Sequence, residues 1–309
     1  MVVRYRNLVQ DSQRWEGFEF RPDDIVISTP AKCGTTWTQM LCALLIFDSS
    51  EFDRPLAHIS PWLDMQTRDL DDVLAELEAQ THRRFIKTHT PLDGLPSSEG
   101  VTLVCVGRDP REVALSWDHH MDNTDRDAFI ALRAAAVGLE DLAELGPLPE
   151  PPSTDATERY MLWIESPADG GSNLASVLHH FETFWDRRQD DDVVLLHYSD
   201  LTSDLCGQMR RLADGLQIDV SDARIEELAV AASFDQMRAR AEVLAPNSDQ
   251  GFWKSTEGFF HRGRSGEWGE LLDDETSRRY EERVHELVPD DIAAWAHQGS
   301  LGAPGRTDG

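Results

Sequence analysis

The chain has 309 residues, 40% of them hydrophobic, and its 57 acidic and 29 basic side chains give a formal net charge of −28. Such a charge repels nucleic acid and anionic membranes, so neither is expected as a partner, and no apolar run approaches the roughly 20 residues of a membrane span. Because the N-terminal residues also lack the apolar core of a signal peptide, we expect a cytoplasmic protein without a transmembrane segment.

The first predicted unit is a strand, a tight loop and a helix. Residues 24–28 are apolar and β-branched, residues 38–47 form a mostly apolar helical run, and the loop at 30–37 reads Pro-Ala-Lys-Cys-Gly-Thr-Thr-Trp. The unpaired N–H groups and the positive dipole end of a helix start attract anions. Gly34 permits close backbone approach and Lys32 adds a positive charge. This loop therefore predicts a phosphate or sulfate site.

The loop differs from the Walker A loop of nucleoside triphosphatases, in which the lysine follows the second glycine. Here Lys32 precedes Gly34, the only glycine of the loop. For this segment taken alone, an ordinary strand-to-helix turn is the alternative.

Strands alternate with helices along the following chain. Strands are predicted at 84–88, 101–106 and 193–198, and helices around 70–77, from about 111, and over 172–188. This alternation predicts an α/β fold with one P-loop-like domain, in which helices flank both faces of a central parallel sheet. We expect the domain to span residues 1–298 and a disordered tail to follow at 299–309, while the aperiodic segment 244–268 is typical of a functional lid or a disordered loop.

Scarce cations cluster where the predicted strands end. Lys32, Lys87, His89, Arg108 and Tyr198 each follow or close a strand, and ligands of parallel sheets gather at that edge. Each residue alone has a structural explanation, such as an ion pair or a satisfied polar contact. Their co-occurrence in an acidic chain favours an anion-binding catalytic site.

These segments resemble the cytosolic-type sulfotransferases, which move a sulfuryl group from 3′-phosphoadenosine-5′-phosphosulfate (PAPS) to an acceptor hydroxyl or amine. The similar segments are the phosphosulfate loop at 31–37, the Lys-Thr-His-x-Pro segment at 87–91, the 3′-phosphate stretch at 107–116, Tyr198, the adenine-side segment at 233–237 and the C-terminal basic segment at 261–266. The matches follow the family order. Residues 83–95 look most like actinobacterial members, some of them described as glycolipid sulfotransferases.

The resemblance implies roles for individual residues. The implied catalytic residues are His89, Lys32, Lys87 and Ser116, with His89 as the base that takes the proton of the acceptor. Lys32 would stabilise charge on the leaving phosphate oxygen, Lys87 would contact the sulfuryl oxygens, and Ser116 would bind the 3′-phosphate and restrain Lys32. The implied donor-binding residues are Lys32, Cys33, Gly34, Thr35, Thr36, Trp37, Arg108, Ser116, Tyr198, Ser233, Phe234, Met237, His261, Arg262 and Gly263. PAPS is the expected donor.

Three positions depart from the family pattern. Cys33 replaces a loop serine, which removes one hydroxyl and leaves the backbone N–H groups of the loop in place. His261 stands where the family has Arg, so Arg108 and Arg262 are expected to hold the 3′-phosphate, with Arg264 as a further candidate. Gly269 stands where the family has Lys, and this lost cation is expected to weaken donor affinity.

Other functions and the acceptor stay open at this point. A nucleotide kinase or other P-loop phosphotransferase would share the anion site, although the position of the lysine and the lack of a clear acidic magnesium-binding strand end count against it. A nonenzymatic sensor of 3′-phosphoadenosine 5′-phosphate (PAP) would keep the site without turnover.

The expected acceptor is a small-molecule or lipid-like hydroxyl compound, such as a glycolipid or another apolar alcohol or phenol. Aromatic residues that could line its pocket are Trp62, Phe252, Trp253, Phe259 and Phe260. The four cysteines lack metal-ligand spacing, so no metal is expected.

Overall fold

A parallel sheet forms the centre of the molecule. The computed structural model describes residues 2–145, 153–168, 171–260, 268 and 273–301. Within these residues the sheet has four strands, in the order β2-β1-β3-β4. They are β1 (Ile25–Ser28), β2 (Phe85–Thr88), β3 (Thr102–Gly107) and β4 (Val193–His197). All neighbouring pairs are parallel.

Helices surround this sheet. Those described are α1 (Thr35–Phe47), α2 (Leu56–Ile59), α3 (Leu70–Ala79), α4 (Pro110–Asp122), α5 (Arg126–Val137), α6 (Leu142–Leu145), α7 (Ala156–Glu165), α8 (Leu174–Trp185), α9 (Tyr198–Ser203), α10 (Leu205–Gly215), α11 (Asp222–Ala231), α12 (Phe234–Ala239), α13 (Ala241–Leu244), α14 (Asp274–Leu287) and α15 (Asp290–Gln298). Among the residues described, no helix has the length and apolarity needed to cross a membrane.

The sheet separates two hydrophobic cores. On one face Val26 belongs to a buried cluster with Phe181 of α8 and Trp295 of α15. On the other face Ile27 belongs to a cluster with Leu41 of α1. Successive side chains of a strand point to opposite faces, so one short apolar strand contributes side chains to both cores. The predicted α/β fold, with helices on both faces of a parallel sheet, is confirmed.

The register places the strand ends at one edge. Ser28 lies level with Thr88, and Gly107 lies level with His197. The loops that follow β1, β2, β3 and β4 therefore meet at the carboxyl edge, which is the edge where the cationic residues were expected.

Most element boundaries differ from the sequence prediction by one to three residues, and two of these differences lie at the strand edge that carries the cations. The first helix begins at Thr35 instead of residue 38, because Gly34 takes a left-handed conformation (φ 105°) and turns the chain directly into the helix. Tyr198 opens α9 instead of ending β4, because the His197 side chain accepts a hydrogen bond from the Ser199 N–H and caps that helix.

The predicted lid segment is irregular but well connected over its described part. Its short helical pieces after α13 are the 3-10 turns Ser248–Gln250 and Glu257–Phe259. The Phe252 carbonyl accepts a hydrogen bond from the Asp125 N–H at 2.7 Å, and the Trp253 Nε1 donates to the Pro246 carbonyl at 2.7 Å. These bonds hold the segment beside the end of α4.

The predicted tail begins with an ordered turn. Gly299–Leu301 forms a 3-10 helix, and the Ser300 hydroxyl donates a hydrogen bond to Asp200 at 2.9 Å. Residues 302–309 lie outside the described residues. The domain limits at residues 1–298 stay a prediction.

Candidate active site

The loop between β1 and α1 has an unusual backbone. Lys32, a non-glycine residue, has φ 70°, in the left-handed region that side chains disfavour. Gly34 has φ 105°, and a Cβ atom there would lie 3.2 Å from Cδ2 of Tyr198, so both the backbone conformation and the close ring favour glycine. The hydroxyls of Thr29 and Thr35 hydrogen-bond to each other at 2.5 Å. Strained backbone of this kind clusters at functional sites.

Arg108 joins this loop to β3 and α9. Its Nη1 donates to the Lys32 carbonyl at 2.9 Å, and its guanidinium lies 4.3 Å from the centre of the Tyr198 ring. Its Nε is buried without a hydrogen-bond partner among the described residues, and so is the indole Nε1 of Trp37. Trp37 packs edge-to-face on Tyr198 with ring centres 5.4 Å apart. Buried donors without partners carry a desolvation cost that a polar ligand would relieve.

Lys32 points from the loop toward α4 and the lid segment. Its Nζ lies 3.4 Å from Nδ1 of His120 and 4.4 Å from the centre of the Phe259 ring. Burial, together with the charges of Arg108 and Lys87, lowers the pKa of Lys32 to about 7. Within the described part of the chain, no carboxylate forms an ion pair with this lysine. Its charge is therefore desolvated and uncompensated, as expected at an anion site.

Lys87 is a second buried lysine at the same edge. It is 5% exposed, and its Nζ lies 4.2 Å from the centre of the Trp62 ring. Burial lowers the pKa of Lys87 to about 7 against the opposing effect of Asp64. The chain has three lysines, at 32, 87 and 254, so two of the three lie in this site.

Asp64 is a fully buried carboxylate behind Lys87. Burial raises its pKa, although its hydrogen bonds act in the opposite direction. It accepts hydrogen bonds from Trp15 Nε1 at 3.1 Å, Trp62 Nε1 at 2.6 Å, Thr88 Oγ1 at 2.7 Å and Thr90 Oγ1 at 2.7 Å. These bonds fix Trp62 and the residues on both sides of His89.

His89 follows β2 and has a defined tautomer. Its Nδ1 lies 2.7 Å from the Thr29 carbonyl oxygen, which can only accept, so Nδ1 carries the hydrogen and Nε2 keeps its lone pair. Burial, and then the charge of Lys87, hold the pKa of His89 well below its ordinary value. Its ring meets Trp62 edge-to-face with centres 4.6 Å apart. His89 is thus a neutral, oriented imidazole with the lone pair required of a base at neutral pH.

The other sequence-predicted residues lie in several parts of the fold. Thr35, Thr36 and Trp37 form the first turn of α1, and Ser116 is half-buried on the second turn of α4. Cys33 is fully buried in the core beneath the loop, where burial raises the pKa of its thiol to about 12. The residues at and after the start of α12 are Ser233 at its N-cap, Phe234 at its first position and Met237 in the core. Phe234 and Trp37 both pack against the α1-side core. His261, Arg262, Gly263, Arg264 and Gly269 lie outside the described residues.

His120 and Asp64 are site residues that the sequence interpretation missed. His120 lies one turn after Ser116 on α4, and Glu112, Ser116 and His120 recur every four residues along that helix. Residues four apart share one helix face, so this spacing is a signal that would have found His120. Asp64 offers no such signal, because it lies in an irregular segment.

No group of three or more His, Cys, Asp and Glu side chains that could hold a metal occurs among the described residues.

Comparison with known proteins gives a consistent result. The family model described as "Sulfotransferase domain" matches residues 22–291. A glycolipid sulfotransferase of Mycobacterium bovis (strain BCG / Pasteur 1173P2) is 42% identical over 317 residues, which cover 97% of this chain and 95% of that protein. A glycolipid sulfotransferase of Mycobacterium tuberculosis (strain ATCC 25177 / H37Ra) is 42% identical over 316 residues, with the same shares covered. The crystal structure of retinol dehydratase in complex with androsterone and the inactive cofactor PAP matches with a TM-score of 0.69 and 21% identity, over 91% of this chain and 87% of that one.

Proposed function

Because the chain belongs to the sulfotransferase domain family and is a PAPS-dependent sulfotransferase, we propose that it transfers a sulfuryl group to a hydroxyl of a glycolipid. The observation that carries this proposal is the meeting of three desolvated cations, Lys32, Lys87 and Arg108, with the neutral base His89 at one edge of the sheet. The names of the two mycobacterial relatives support the acceptor class.

The residues present fit a phosphorylated nucleotide donor. Arg108 and Trp37 offer buried N–H groups without partners, and Gly34 lets the loop pack closely against the Tyr198 ring. Within the described residues, neither Lys32 nor Lys87 forms an ion pair with a carboxylate, and only Lys87 is partly compensated, by the nearby Asp64. A bound anion would compensate the remaining charge. We assign Arg108 and Ser116 to the 3′-phosphate, and the first turn of α1 with Lys32 to the phosphosulfate. When bound, PAPS supplies an activated sulfuryl group with PAP as the leaving group.

We assign the proton transfer to His89. As the acceptor oxygen bonds to sulfur, the bond between sulfur and the phosphate oxygen breaks, and the hydroxyl proton passes to Nε2 of His89. The Nδ1–H bond to the Thr29 carbonyl keeps the lone pair of Nε2 directed into the site. Turnover ends when the imidazolium returns this proton to solvent.

The two lysines stabilise charge in this proposal. Lys32 stabilises the charge that develops on the departing phosphate oxygen, and Lys87 stabilises the sulfuryl oxygens during transfer. Asp64 holds Trp62 against Lys87, so that the ammonium is fixed between the indole face and the site. Because sulfuryl transfer, like phosphoryl transfer, depends on alignment and charge stabilisation, these fixed positions supply the main catalytic contribution.

The donor site is tested by thermal stabilisation. A ligand that binds only the folded state raises the Tm in proportion to ln(1 + [L]/Kd), so we expect a larger shift with PAP than with ADP at equal concentration and without magnesium. Arg108→Ala should remove this preference for the 3′-phosphorylated nucleotide. Arg224→Ala is the matched control, because Arg224 pairs at the surface with Asp48 and Glu227. A preference for PAP that persists in Arg108→Ala would place the 3′-phosphate elsewhere.

The acceptor class is tested by direct transfer. We expect label from 35S-PAPS to appear in a purified glycolipid, and no label from γ-32P-ATP to appear in the same acceptor. Transfer to a simple phenol but not to the glycolipid would reject the acceptor and keep the donor. Phosphate transfer from ATP would favour the kinase alternative, and PAP binding without transfer to any acceptor would favour the sensor.

A further inference from the structure

A second histidine lies beside the proposed reaction centre. His120 is in the last turn of α4, and its ring stacks on Trp117 with centres 5.3 Å apart and an interplanar angle of 25°. Trp253 and Phe259 of the lid segment meet the same ring edge-to-face at 5.0 and 6.2 Å. Both histidines are tied to the loop after β1, His89 through Thr29 and His120 through Lys32. They therefore flank the same space.

The two histidines present opposite hydrogen-bonding groups. When Lys32 is protonated its ammonium has no lone pair, so Nδ1 of His120 then accepts from it and the ring hydrogen lies on Nε2. His89 has the reverse tautomer, with an acceptor at Nε2. Burial and the charge of Lys32 hold the pKa of His120 well below its ordinary value, so this ring stays neutral. Within the described part of the chain, no group hydrogen-bonds Nε2 of His120.

We propose that His120 is an acceptor-binding residue whose Nε2–H donates a hydrogen bond to an oxygen next to the hydroxyl that is sulfated. One hydroxyl gives its proton to His89 while the neighbouring oxygen accepts from His120. Trp117, Trp253 and Phe259 surround the imidazole with apolar rings. Aromatic rings of this kind suit the C–H faces of a sugar. The site then selects sugar hydroxyls, which have neighbouring oxygens, over the lone hydroxyl of a simple alcohol. This inference rests on the proposed glycolipid function and assigns its specificity to one side chain.

The ratio of kcat/KM for two acceptors distinguishes hydrogen bonding to the acceptor by Nε2 of His120 from the contact of Nδ1 with Lys32. Loss of Nδ1 would disturb Lys32 and lower kcat/KM for every acceptor alike, whereas loss of the Nε2 donor affects only acceptors with a neighbouring oxygen. The acceptors are octyl β-D-glucoside and octan-1-ol, which share the alkyl chain. The variants are His120→Phe, which keeps the aromatic packing, His120→Gln, which keeps an N–H donor, and His119→Phe as the control on the same helix.

We expect the wild type to prefer the glucoside, and His120→Phe to lower the glucoside-to-octanol ratio of kcat/KM about tenfold, the effect of one lost hydrogen bond. His120→Gln should keep most of the ratio, and His119→Phe should keep all of it. An unchanged ratio in His120→Phe, with transfer to the glucoside retained, would overturn the inference alone. No transfer by the wild type to either acceptor would overturn the proposed function and this inference together.

Binding without turnover gives an independent readout. In the complex saturated with PAP, which has no sulfuryl group to transfer, calorimetric titration should show tighter binding of octyl β-D-glucoside than of octan-1-ol. We expect His120→Phe to abolish this difference while a Tm shift with PAP is retained, which shows that the donor site still binds. Equal affinity of the wild type for the two acceptors would contradict the inference.

Discussion

Replacement of His89 by asparagine should lower kcat by about 100- to 10,000-fold, the range for loss of a positioned general base. Asparagine keeps a donor near the Nδ1 position, so the bond to the Thr29 carbonyl can persist while the lone pair of Nε2 is lost. The change therefore removes the base with little effect on the loop. We expect the Tm shift with PAP to stay at the wild-type value, and single-turnover transfer of 35S to measure the loss of chemistry.

The pH profile adds a second test of His89. Its pKa is held well below the ordinary histidine value by burial and by Lys87, so the wild-type base stays deprotonated at pH 6.5. The fall of kcat on the acidic side should therefore begin below that pH, and it should be absent from the residual activity of His89→Asn. His179→Asn, a change in a half-exposed histidine of α8, serves as the control. Near-normal turnover in His89→Asn would reject the assignment of the base.

The residues found from the sequence share one physical property. Lys87, His89 and Arg108 close or directly follow a strand, and Lys32 lies in the short loop after β1. Parallel strands bring such positions to one edge of the sheet without further information. A short apolar strand followed by a loop and a helix is a local sequence signal. Such signals are therefore enough to predict where most of the cationic residues lie. The resemblance to a family added their roles, which local signals do not contain.

The residues that were missed depend on tertiary packing. Asp64 lies in an irregular segment, and only the approach of Trp15 and of the end of β2 shows that its carboxylate is buried and saturated with donors. His120 becomes a site residue because Lys32 takes a left-handed backbone conformation and its side chain reaches α4. Neither the burial of Asp64 nor the path of Lys32 follows from periodicity or propensity.

Lys32 should show opposite effects on stability and on turnover. In the folded protein burial lowers its pKa to about 7, against an ordinary value of 10.5, so the folded state disfavours the ammonium. Between these two pH values the unfolded chain binds a proton that the folded chain lacks, so this lysine makes the free energy of unfolding rise with pH. Its full destabilising effect is present at pH 7 and below, and it fades toward pH 10.5.

Lys32→Met should therefore raise the Tm of the ligand-free protein at pH 6.5 and raise it less at pH 9. The same variant should lose about 100- to 1,000-fold in kcat, the effect of removing one preorganised charge-stabilising group, and should show a smaller Tm shift with PAP. Lys254→Met is the matched control, because Lys254 is exposed and its Nζ donates to the Asp122 carbonyl away from the loop. A higher Tm of the ligand-free variant together with a lower kcat would show that the Lys32 ammonium serves anion binding and catalysis at a cost in stability. A lower Tm in the ligand-free variant, or an unchanged kcat, would contradict this role.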